Sequence, residues 1–590
     1  MVRLTGHATL AAMYVLGLSC FYHDSAACLL RDGIPVAAAS EQAFTRKKHD
    51  EAFPKHAIRW ALDEAGIGMD EVELVAFYDK PLVKFERILK SHLASFPKSF
   101  AQFARGIPSW FSTKLRLDKL LAREFGYTGA IVYGHHHLSH AASAFYASGW
   151  EESTVLTVDG VGEWSTATWG VGRGKTVELL GEIRFPHSLG LLYSAFTAYL
   201  GFKVNSAEYK VMGLAPYGEP KYVDNIKSMF RLKPDGTFRL DMECFDFDHG
   251  LRMYNERFEA VMGRPTRAME SGPLEQFHKD VARSIQEVVN ETMVNLAATA
   301  VEASGIPRLC MAGGVALNCV ANGHVMRSLA VEDLFVQPAA GDAGGAMGAA
   351  LWAWHQLLDK PREWSMKNAY LGPGYTDDEV QAALDSFGAV YTRMERPELL
   401  NRTAELIDQA NVVGWYQGRL EWGPRALGHR SILGDARHPE MRDIINRKIK
   451  FREGFRPFAP SVLEESASQY FEIDRPSPYM LLVAPVREDA TPLPAITHVD
   501  GSARVQTINR SQDALYYDLI AAFRERTGCS VVINTSMNVR GEPIVNSPQD
   551  AYQCFMRTHM DALVCGSFVL LKEDQPSMEL ASAEEAFGLD

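Results

Sequence analysis

Two histidines four residues apart, His136 and His140, are the first residues of the sequence whose spacing could serve chemistry. Residues four apart lie on one face of a helix, so both imidazoles can reach a single cation. Asp159 and Asp342 stand where two predicted strands end. Two imidazoles and two carboxylates suit a divalent transition metal such as iron, manganese or zinc better than magnesium. The spacing alone equally fits histidines that bond to the backbone, because only the fold can bring the four residues together.

His23 follows the first predicted strand, where an imidazole can act as general base for an attacking hydroxyl group. Its ordinary pKa lies near neutrality, as such proton transfer requires. The alternative, with equal weight, is a histidine that makes a backbone hydrogen bond in a turn. The basic segment 44–56 that follows is typical of a charged surface.

Glycine-rich turns indicate a nucleotide site in the first part of the chain. Gly313 and Gly314 end an apolar strand, and Asn318 stands where a helix is predicted to begin. Such a turn lets backbone N–H groups approach a phosphate, although close packing of strand and helix explains it equally well. Lys210 lies beside another loop rich in glycine and proline. Together these features favour a nucleotide.

Arginine and lysine are dense between residues 419 and 456, with few acidic residues to match them. The basic residues alternate with Trp, Gly, Pro and Phe rather than forming a lysine-rich stripe. Guanidinium groups bind phosphate and carboxylate through paired hydrogen bonds. Arg504, Arg540 and Asn534 occupy loop-like positions that could join the same pocket. We therefore expect a small phosphorylated substrate here.

The composition limits the functional classes. The 590 residues contain 73 acidic and 60 basic side chains, a net charge of −13, which argues against a nucleic-acid partner. No apolar run approaches the roughly 18 residues of a membrane helix, so no membrane partner is expected. The eight cysteines form no CxxC pair, so reduced thiols are expected. A cytoplasmic location is the default.

The order of predicted elements indicates an α/β protein with an internal duplication. A strand at 13–20 leads into a predicted hairpin at 27–41 whose turn is Asp32–Gly33. A strand at 153–160, followed by another hairpin, repeats this opening. Such duplication is typical of the actin, sugar-kinase and Hsp70 class. The loop-like segment 371–377 marks a domain boundary, after which the chain is long enough for a second core.

Many ordered motifs resemble the NodU/CmcH-type O-carbamoyltransferase family, which includes tobramycin carbamoyltransferase. They include HDSAA (23–27), FTRKKHD (44–50), HHLSHAASAFY (136–146), GGVALN (313–318), GDAGGA (341–346), GPRALGHRSIL (423–433) and NTSMNVRGEPIV (534–545). The resemblance implies a duplicated ASKHA domain of the Kae type over 13–365 and a YrdC-like α/β domain over 366–575. Residues 1–12 are then an extension, and residues 576–590 a mobile tail.

The resemblance further implies an enzyme that uses carbamoyl phosphate and Mg-ATP to form a carbamoyl adenylate. The carbamoyl group then passes to a hydroxyl group of a small-molecule acceptor, such as a secondary metabolite. Iron(II) is the metal that the family implies, and a homodimer is the assembly that it suggests. The implied residues are His23 near the acceptor, the metal ligands His136, His140, Asp159 and Asp342, the nucleotide-site residues Lys48, Lys210, Gly313, Gly314 and Asn318, and the carbamoyl phosphate and adenylate pocket Arg425, Arg430, Lys450, Arg504, Asn534 and Arg540.

Two alternatives share these domain types. One is an enzyme of tRNA threonylcarbamoyl modification, against which the acidic balance and the fused domain order argue. The other is a non-catalytic ATP-binding protein, which would have no reason to keep both a metal set and a basic pocket.

Overall fold

A computed structural model describes residues 12–110, 114–269, 272–450 and 454–587. Its first sheet has five strands in the order β3-β2-β1-β4-β5. The first three strands are antiparallel, while β1, β4 and β5 run parallel. The strands are β1 (Tyr14–Ser19), β2 (Ala26–Arg31), β3 (Ile34–Ser40), β4 (Val72–Phe77) and β5 (Ala130–Tyr133). Asp32 and Gly33 both have positive φ in the predicted hairpin turn, as a two-residue type I′ connection requires.

A second sheet repeats this arrangement. Its order is β12-β11-β6-β7-β8, again with three antiparallel strands and two parallel neighbours beside the first of them. The strands here are β6 (Glu152–Val158), β7 (Ser165–Arg173), β8 (Thr176–Arg184), a separate hairpin of β9 (Phe230–Leu232) and β10 (Phe238–Leu240), then β11 (Arg308–Ala312) and β12 (Asp333–Val336). The predicted duplication is confirmed, because both sheets have one topology.

Helices connect and cover these two sheets. One of them has 29 residues and spans Gln276–Ser304. The helices of this part are α1 (Gln42–Thr45), α2 (Lys55–Ala65), α3 (Pro81–Ala94), α4 (Phe100–Ser109), α5 (Leu117–Phe125), α6 (His136–Ser148), α7 (Leu189–Tyr199), α8 (Glu208–Leu214), α9 (Val223–Met229), α10 (Glu256–Met262), α11 (Gln276–Ser304), α12 (Cys319–Ser328) and α13 (Asp342–Trp352).

The last part of the chain forms a mixed nine-stranded sheet in the order β13-β21-β20-β14-β15-β19-β16-β18-β17. Its strands are β13 (Thr392–Arg393), β14 (Val413–Tyr416), β15 (Arg430–Asp435), β16 (Ala459–Leu463), β17 (Leu482–Pro485), β18 (Ser502–Ile508), β19 (Val531–Ser536), β20 (Ala562–Cys565) and β21 (Phe568–Leu571). Its helices are α14 (Asp377–Ser386), α15 (Arg396–Asp408), α16 (Met441–Ile445), α17 (Ala467–Tyr470), α18 (Ala514–Thr527), α19 (Pro548–Arg557) and α20 (Ala583–Phe587). A duplicated ASKHA domain followed by a second α/β domain, as predicted, is therefore the fold class.

The chain has two hydrophobic cores. The first contains most of its buried residues between Tyr14 and Ala369, and the second contains residues between Val380 and Leu570. Six buried residues of the later part pack into the first core, namely Trp422, Leu427, Ala459, Tyr479, Met480 and Leu481. The two domains therefore share apolar contacts.

Polar contacts also connect the two domains. Arg46, in the loop after α1, donates to the carbonyl oxygens of Ile544 at 2.7 Å and Pro543 at 3.0 Å, and to Glu542 at 3.0 Å. A loop of the first domain is thus held against a loop of the second. Among the described residues, none of the helices has the length and apolar composition needed to cross a bilayer.

Candidate active site

Four buried side chains converge at one end of the second sheet. The ligand atoms of His136, His140, Asp159 and Asp342 all lie within 4.8 Å of one another. The Nε2 atom of His136 lies 2.8 Å from Oδ2 of Asp159 and 3.1 Å from Nε2 of His140. Oδ1 of Asp342 lies 3.8 Å and 3.7 Å from the two Nε2 atoms. The structure therefore brings the four predicted ligands together.

Local structure explains this convergence. His136 and His140 lie in the first two turns of α6, on one face as their spacing predicts. Asp159 directly follows β6, and Asp342 is the first residue of α13. The backbone N–H of Gly314 donates to Oδ1 of Asp159 at 2.9 Å, which orients that carboxylate.

The electrostatics of this cluster fit a cation. Burial alone would raise the pKa of Asp159, but hydrogen bonds from His136 and His140 hold it well below its usual range. Burial opposes protonation of His140, yet its bonds to Asp159 and Asp342 raise its pKa to about 9. Two imidazole nitrogens 3.1 Å apart need a proton or a cation between their lone pairs. The set of two nitrogen and two oxygen donors fits a divalent transition metal.

His137, the neighbour of His136, has a different role. Its Nδ1 bonds to Oγ1 of Thr157 at 2.7 Å, and its Nε2 to the carbonyl of Ser165 at 2.8 Å. Burial, reinforced by the charge of His136, lowers the pKa of His137 to about 3. A neutral imidazole with both nitrogens occupied packs α6 against the second sheet.

A second cluster of histidine and aspartate lies on the first sheet. In the loop after β1, Nδ1 of His23 lies 3.1 Å from Oδ2 of Asp24. Nδ1 of His49 lies 2.8 Å from the other oxygen, Oδ1, of the same carboxylate. Despite its burial, these hydrogen bonds keep the pKa of Asp24 well below its usual range. Asp24 is therefore an anion held between two imidazoles.

The charge on His23 depends on its acidic neighbours. Burial opposes protonation, but the carboxylates of Asp342, Asp24 and Asp159 outweigh it and raise the pKa of His23 to about 10. Two of these three carboxylates belong to the candidate metal cluster. Positive charge bound at that cluster would offset these carboxylates and lower the pKa of His23.

One cavity of about 560 Å³ joins these clusters to the second domain. His23, Asp24, His49 and Asp159 line it from the first domain. The second domain contributes a basic wall, which consists of Arg425, Arg442, Lys450, Arg456, Arg504 and Arg540. The cavity therefore has an imidazole–carboxylate end and a guanidinium end.

The guanidinium end carries crowded positive charge. Burial, and then the charge of Arg504, lowers the pKa of Arg425 to about 9. Burial also lowers the pKa of Arg504. Arg456 and Lys48, from different domains, lie 4.7 Å and 5.9 Å from the ring centre of Tyr209. Neighbouring buried cations repel one another, and a bound anion relieves this repulsion, so this end of the cavity favours an anion.

Two family models match the sequence in order. The model described as carbamoyltransferase N-terminus matches residues 14–351, and the one described as carbamoyltransferase C-terminus matches residues 404–572. The chain belongs to the carbamoyltransferase family. It is an enzyme that transfers a carbamoyl group, as the motifs predict.

Two relatives of this carbamoyltransferase match more than nine-tenths of its length, and a third matches half of it. It is 50% identical to the uncharacterized protein sll1178 of Synechocystis, over 98% of this chain and 100% of that protein. It is 41% identical to the nodulation protein NolNO of Sinorhizobium fredii, over 94% of this chain and 79% of that protein. Nodulation protein U of Rhizobium tropici is 33% identical over 50% of this chain and 49% of that protein.

Solved structures similar to the carbamoyltransferase match part of the chain. Full-length HypF in the phosphate- and nucleotide-bound form matches with a TM-score of 0.30 and 14% identity, over 58% of this chain and 55% of that one. Component A of the (R)-2-hydroxyglutaryl-CoA dehydratase of Acidaminococcus fermentans matches with a TM-score of 0.29 and 16% identity, over 58% of this chain and 97% of that one.

Most residues predicted for substrate binding in the carbamoyltransferase line the cavity. They are Lys48, Gly314, Asn318, Arg425, Lys450, Arg504, Asn534 and Arg540. Some also have structural partners. Asn318 accepts from the N–H of Ala321 at the start of α12, and Asn534 donates to Oε1 of Gln506 at 2.8 Å. The Nζ of Lys450 lies 2.8 Å from Oδ1 of Asn538.

Three residues predicted for substrate binding are not among the described residues that line the cavity. They are Lys210, Gly313 and Arg430. Lys210 is buried 5.6 Å from the ring centre of Phe202. Gly313 has a φ of +92°, and a side chain there would approach the carbonyl oxygen of Val158 to 2.3 Å. Its role is close packing, which is the alternative that the sequence leaves open.

The sequence predicts Arg430 in the carbamoyl phosphate pocket, but the structure places its side chain away from the cavity. Its guanidinium is fully buried, 3.8 Å from the ring centre of Tyr416, and donates to the carbonyl oxygens of Gln417, Pro373 and Gly418. It braces the loop before β15 rather than facing the cavity. High local density of arginine in sequence does not tell which side of a strand each side chain takes.

The sequence does not single out Asp24 or His49 as site residues. His49 lies in a basic run that is typical of a surface, 26 positions beyond His23. The available signal is the repeated His–Asp dipeptide, at 23–24 and again at 49–50.

Proposed function

We propose that this carbamoyltransferase activates carbamoyl phosphate with ATP as a carbamoyl adenylate and transfers the carbamoyl group to a hydroxyl of a small molecule, such as a secondary metabolite. The observation that carries the proposal is that one cavity has both a guanidinium end and an imidazole–carboxylate end. One end suits phosphorylated donors, and the other suits proton removal from an alcohol. A labile intermediate can pass between them without leaving the protein.

Activation is assigned to the guanidinium end. Carbamoyl phosphate, ATP and water give carbamoyl adenylate, pyrophosphate and phosphate, and each of these substrates and products except water carries phosphate charge. Arg425, Arg504 and Lys450 would bind this charge, and preorganised cations stabilise it most as it develops in the transition state. Lys48, Gly314 and Asn318 would contact the nucleotide from the first domain. This division supports a YrdC-like donor domain over 366–575 and a Kae-like transfer domain over 13–365.

Transfer is assigned to the other end. The acceptor oxygen bonds to the carbamoyl carbon, the bond from that carbon to AMP breaks, and His23 takes the hydroxyl proton. A positioned general base typically contributes about 10²–10⁴-fold to such a step.

His136, His140, Asp159 and Asp342 would hold a divalent cation, with iron(II) as the ion proposed from the family. When bound, such a cation supplies a Lewis acid for a carbonyl or phosphate oxygen. The backbone N–H of Gly314 orients one of the four, Asp159. A homodimer in the cytoplasm completes the proposal.

Activation can be tested without knowing the acceptor. Hydroxylamine attacks carbamoyl adenylate directly and gives hydroxyurea and AMP. The protein is incubated with ATP, carbamoyl phosphate and hydroxylamine, and hydroxyurea and pyrophosphate are measured. We expect both products to require carbamoyl phosphate, and the absence of both would overturn the proposal.

Arginine variants sharpen this test. R504M should slow hydroxyurea formation by roughly 10²–10³-fold, the range for loss of one preorganised charge donor. R447M alters an exposed arginine of the basic segment 419–456 and should leave the rate unchanged. R430M should lower the free energy of unfolding but leave the KM for carbamoyl phosphate unchanged, since Arg430 only braces a loop.

Carbamoylation of a hydroxyl acceptor is then sought by mass spectrometry of a metabolite pool incubated with ATP and carbamoyl phosphate. Incubation with tRNA and threonine serves as the competing arm. Threonylcarbamoyl-modified tRNA would favour the alternative function.

A further inference from the structure

The two histidines that contact Asp24 do so with the same ring atom. His23 and His49 each present Nδ1 to one oxygen of the carboxylate, at 3.1 Å and 2.8 Å. An ionised carboxylate can only accept hydrogen bonds, so both Nδ1 atoms must carry their proton. The Nε2 atom of His23 is then the ring atom left to exchange a proton with the acceptor.

The backbone around this unit is held in an uncommon conformation. Asp24 and His49 have φ values of +52° and +55°, in the left-handed region that side chains other than glycine rarely adopt. Two backbone hydrogen bonds tie their loops together, from Ser25 to Asp50 and from Phe21 to Glu51, each at 2.9 Å. Such strain persists only where the surroundings fix it, and it clusters at functional sites.

We propose that Asp24 and His49 are positioning residues for His23 in carbamoyl transfer. Asp24 fixes the tautomer and the ring orientation of His23, and His49 occupies the second oxygen so that the carboxylate cannot rotate away. His49 acts through its Nδ1, since its Nε2 is buried without a hydrogen-bond partner among the described residues. This inference rests on the proposed function, in which His23 takes the proton of the acceptor hydroxyl.

The first test is a spectroscopic one on the full-length protein. Long-range ¹H–¹⁵N correlation with labelled histidine reports which ring nitrogen carries the proton, and H23Q assigns the His23 signal. The amide of D24N has one oxygen, so it can accept from only one of the two Nδ1–H groups. We expect D24N and H49A to change the Nδ1 signal of His23. H56A is the control, because it removes a comparable pair outside the cavity, in which Nδ1 of His56 lies 2.6 Å from Glu41. It should leave the Nδ1 signal of His23 unchanged.

The second test separates transfer from activation, with glycerol as the probe acceptor. D24N should lower kcat for glycerol carbamoylation by roughly 10³–10⁴-fold, as expected when a base takes the wrong tautomer. H49A should lower it by about 10–100-fold, and H49N, whose amide can replace the Nδ1–H donor, should restore most of the loss. Hydroxyurea formation and the KM for carbamoyl phosphate should stay at wild-type values in all three.

An unchanged His23 signal in both D24N and H49A would overturn the inference. Equal loss of transfer in H49A, H49N and H56A would do the same. If the wild type carbamoylates no glycerol, the His23 signal alone decides. Absence of hydroxyurea from the wild type would instead overturn the proposed function, so the two failures are distinguishable.

Discussion

The two repeats of the first domain each place an aspartate in the loop after their first strand, and each aspartate contacts two histidines. In the first repeat, Asp24 accepts hydrogen bonds from the Nδ1 atoms of two rings, which come from separate loops. In the second, Asp159 faces the Nε2 atoms of His136 and His140, which come from one helix. The ring nitrogen that faces the carboxylate decides the chemistry. Converging Nε2 atoms suit a cation, whereas Nε2 atoms held apart suit proton transfer.

Removal of the central carboxylate from each cluster should give the largest difference between them. D159N should lose its bound metal, because one of the four ligands loses its charge. The rate of carbamoyl transfer should then fall by more than roughly 100-fold, the loss typical when a residue that only hydrogen-bonds to a ligand is replaced. D24N should keep the metal. Elemental analysis of the purified proteins measures this, and metal loss in D24N would contradict the comparison.

Chelation should affect only the second cluster. A cation at 100 times its Kd stabilises the folded state by about 2.7 kcal/mol, so its removal should lower the Tm of the wild type by several degrees. D159N should show no shift on chelation, while D24N should respond like the wild type. Differential scanning calorimetry with and without chelator checks this, and an equal shift in D159N would place the cation elsewhere.

A backbone change next to the second cluster should have an intermediate effect. In G313A the new Cβ would meet the carbonyl oxygen of Val158, the residue before Asp159, at a φ of +92°. We expect a loss of about 1–3 kcal/mol in the free energy of unfolding and weaker metal binding. The matched control is G66A, with a φ of +67° and open space around the new atom. Urea denaturation and metal titration measure both, and equal behaviour would mean that the contact with Val158 is unimportant.

The smallest effect on metal binding is expected at His137. H137Q loses hydrogen bonds to Thr157 and Ser165, which should cost about 1–3 kcal/mol of stability, while the metal content stays at the wild-type level. H140Q, three residues further along the same helix, should lose the metal. A metal-free H137Q protein would show that the spacing of four is not what selects the ligands.

The sequence predicts much of the second cluster and little of the first. The spacing of His136 and His140 is a property of one helix, so it is visible locally. Asp159 and Asp342 join them through the family resemblance, since only the sheet topology brings two strand ends together. The duplicated fold is likewise predictable, because both hairpin openings leave a pattern in the chain.

His49 and Arg430 show where such prediction fails. His49 reaches Asp24 through two loops held by positive φ values and by backbone hydrogen bonds, and neither leaves a trace in residue types. Arg430 belongs to a basic run, but β15 turns its side chain toward backbone carbonyls. The side of the sheet that a strand residue faces depends on the register of that strand, which the sequence alone does not fix here.

The contact of Arg46 with the 542–544 loop should restrict which substitutions the chain accepts. Arg46 lies two residues from Lys48 and three from His49, and its partners lie just beyond Arg540. This direct contact therefore helps to hold the donor end and the transfer end at a fixed distance from each other. In sequence variants, residues 46 and 542 should therefore be exchanged only together.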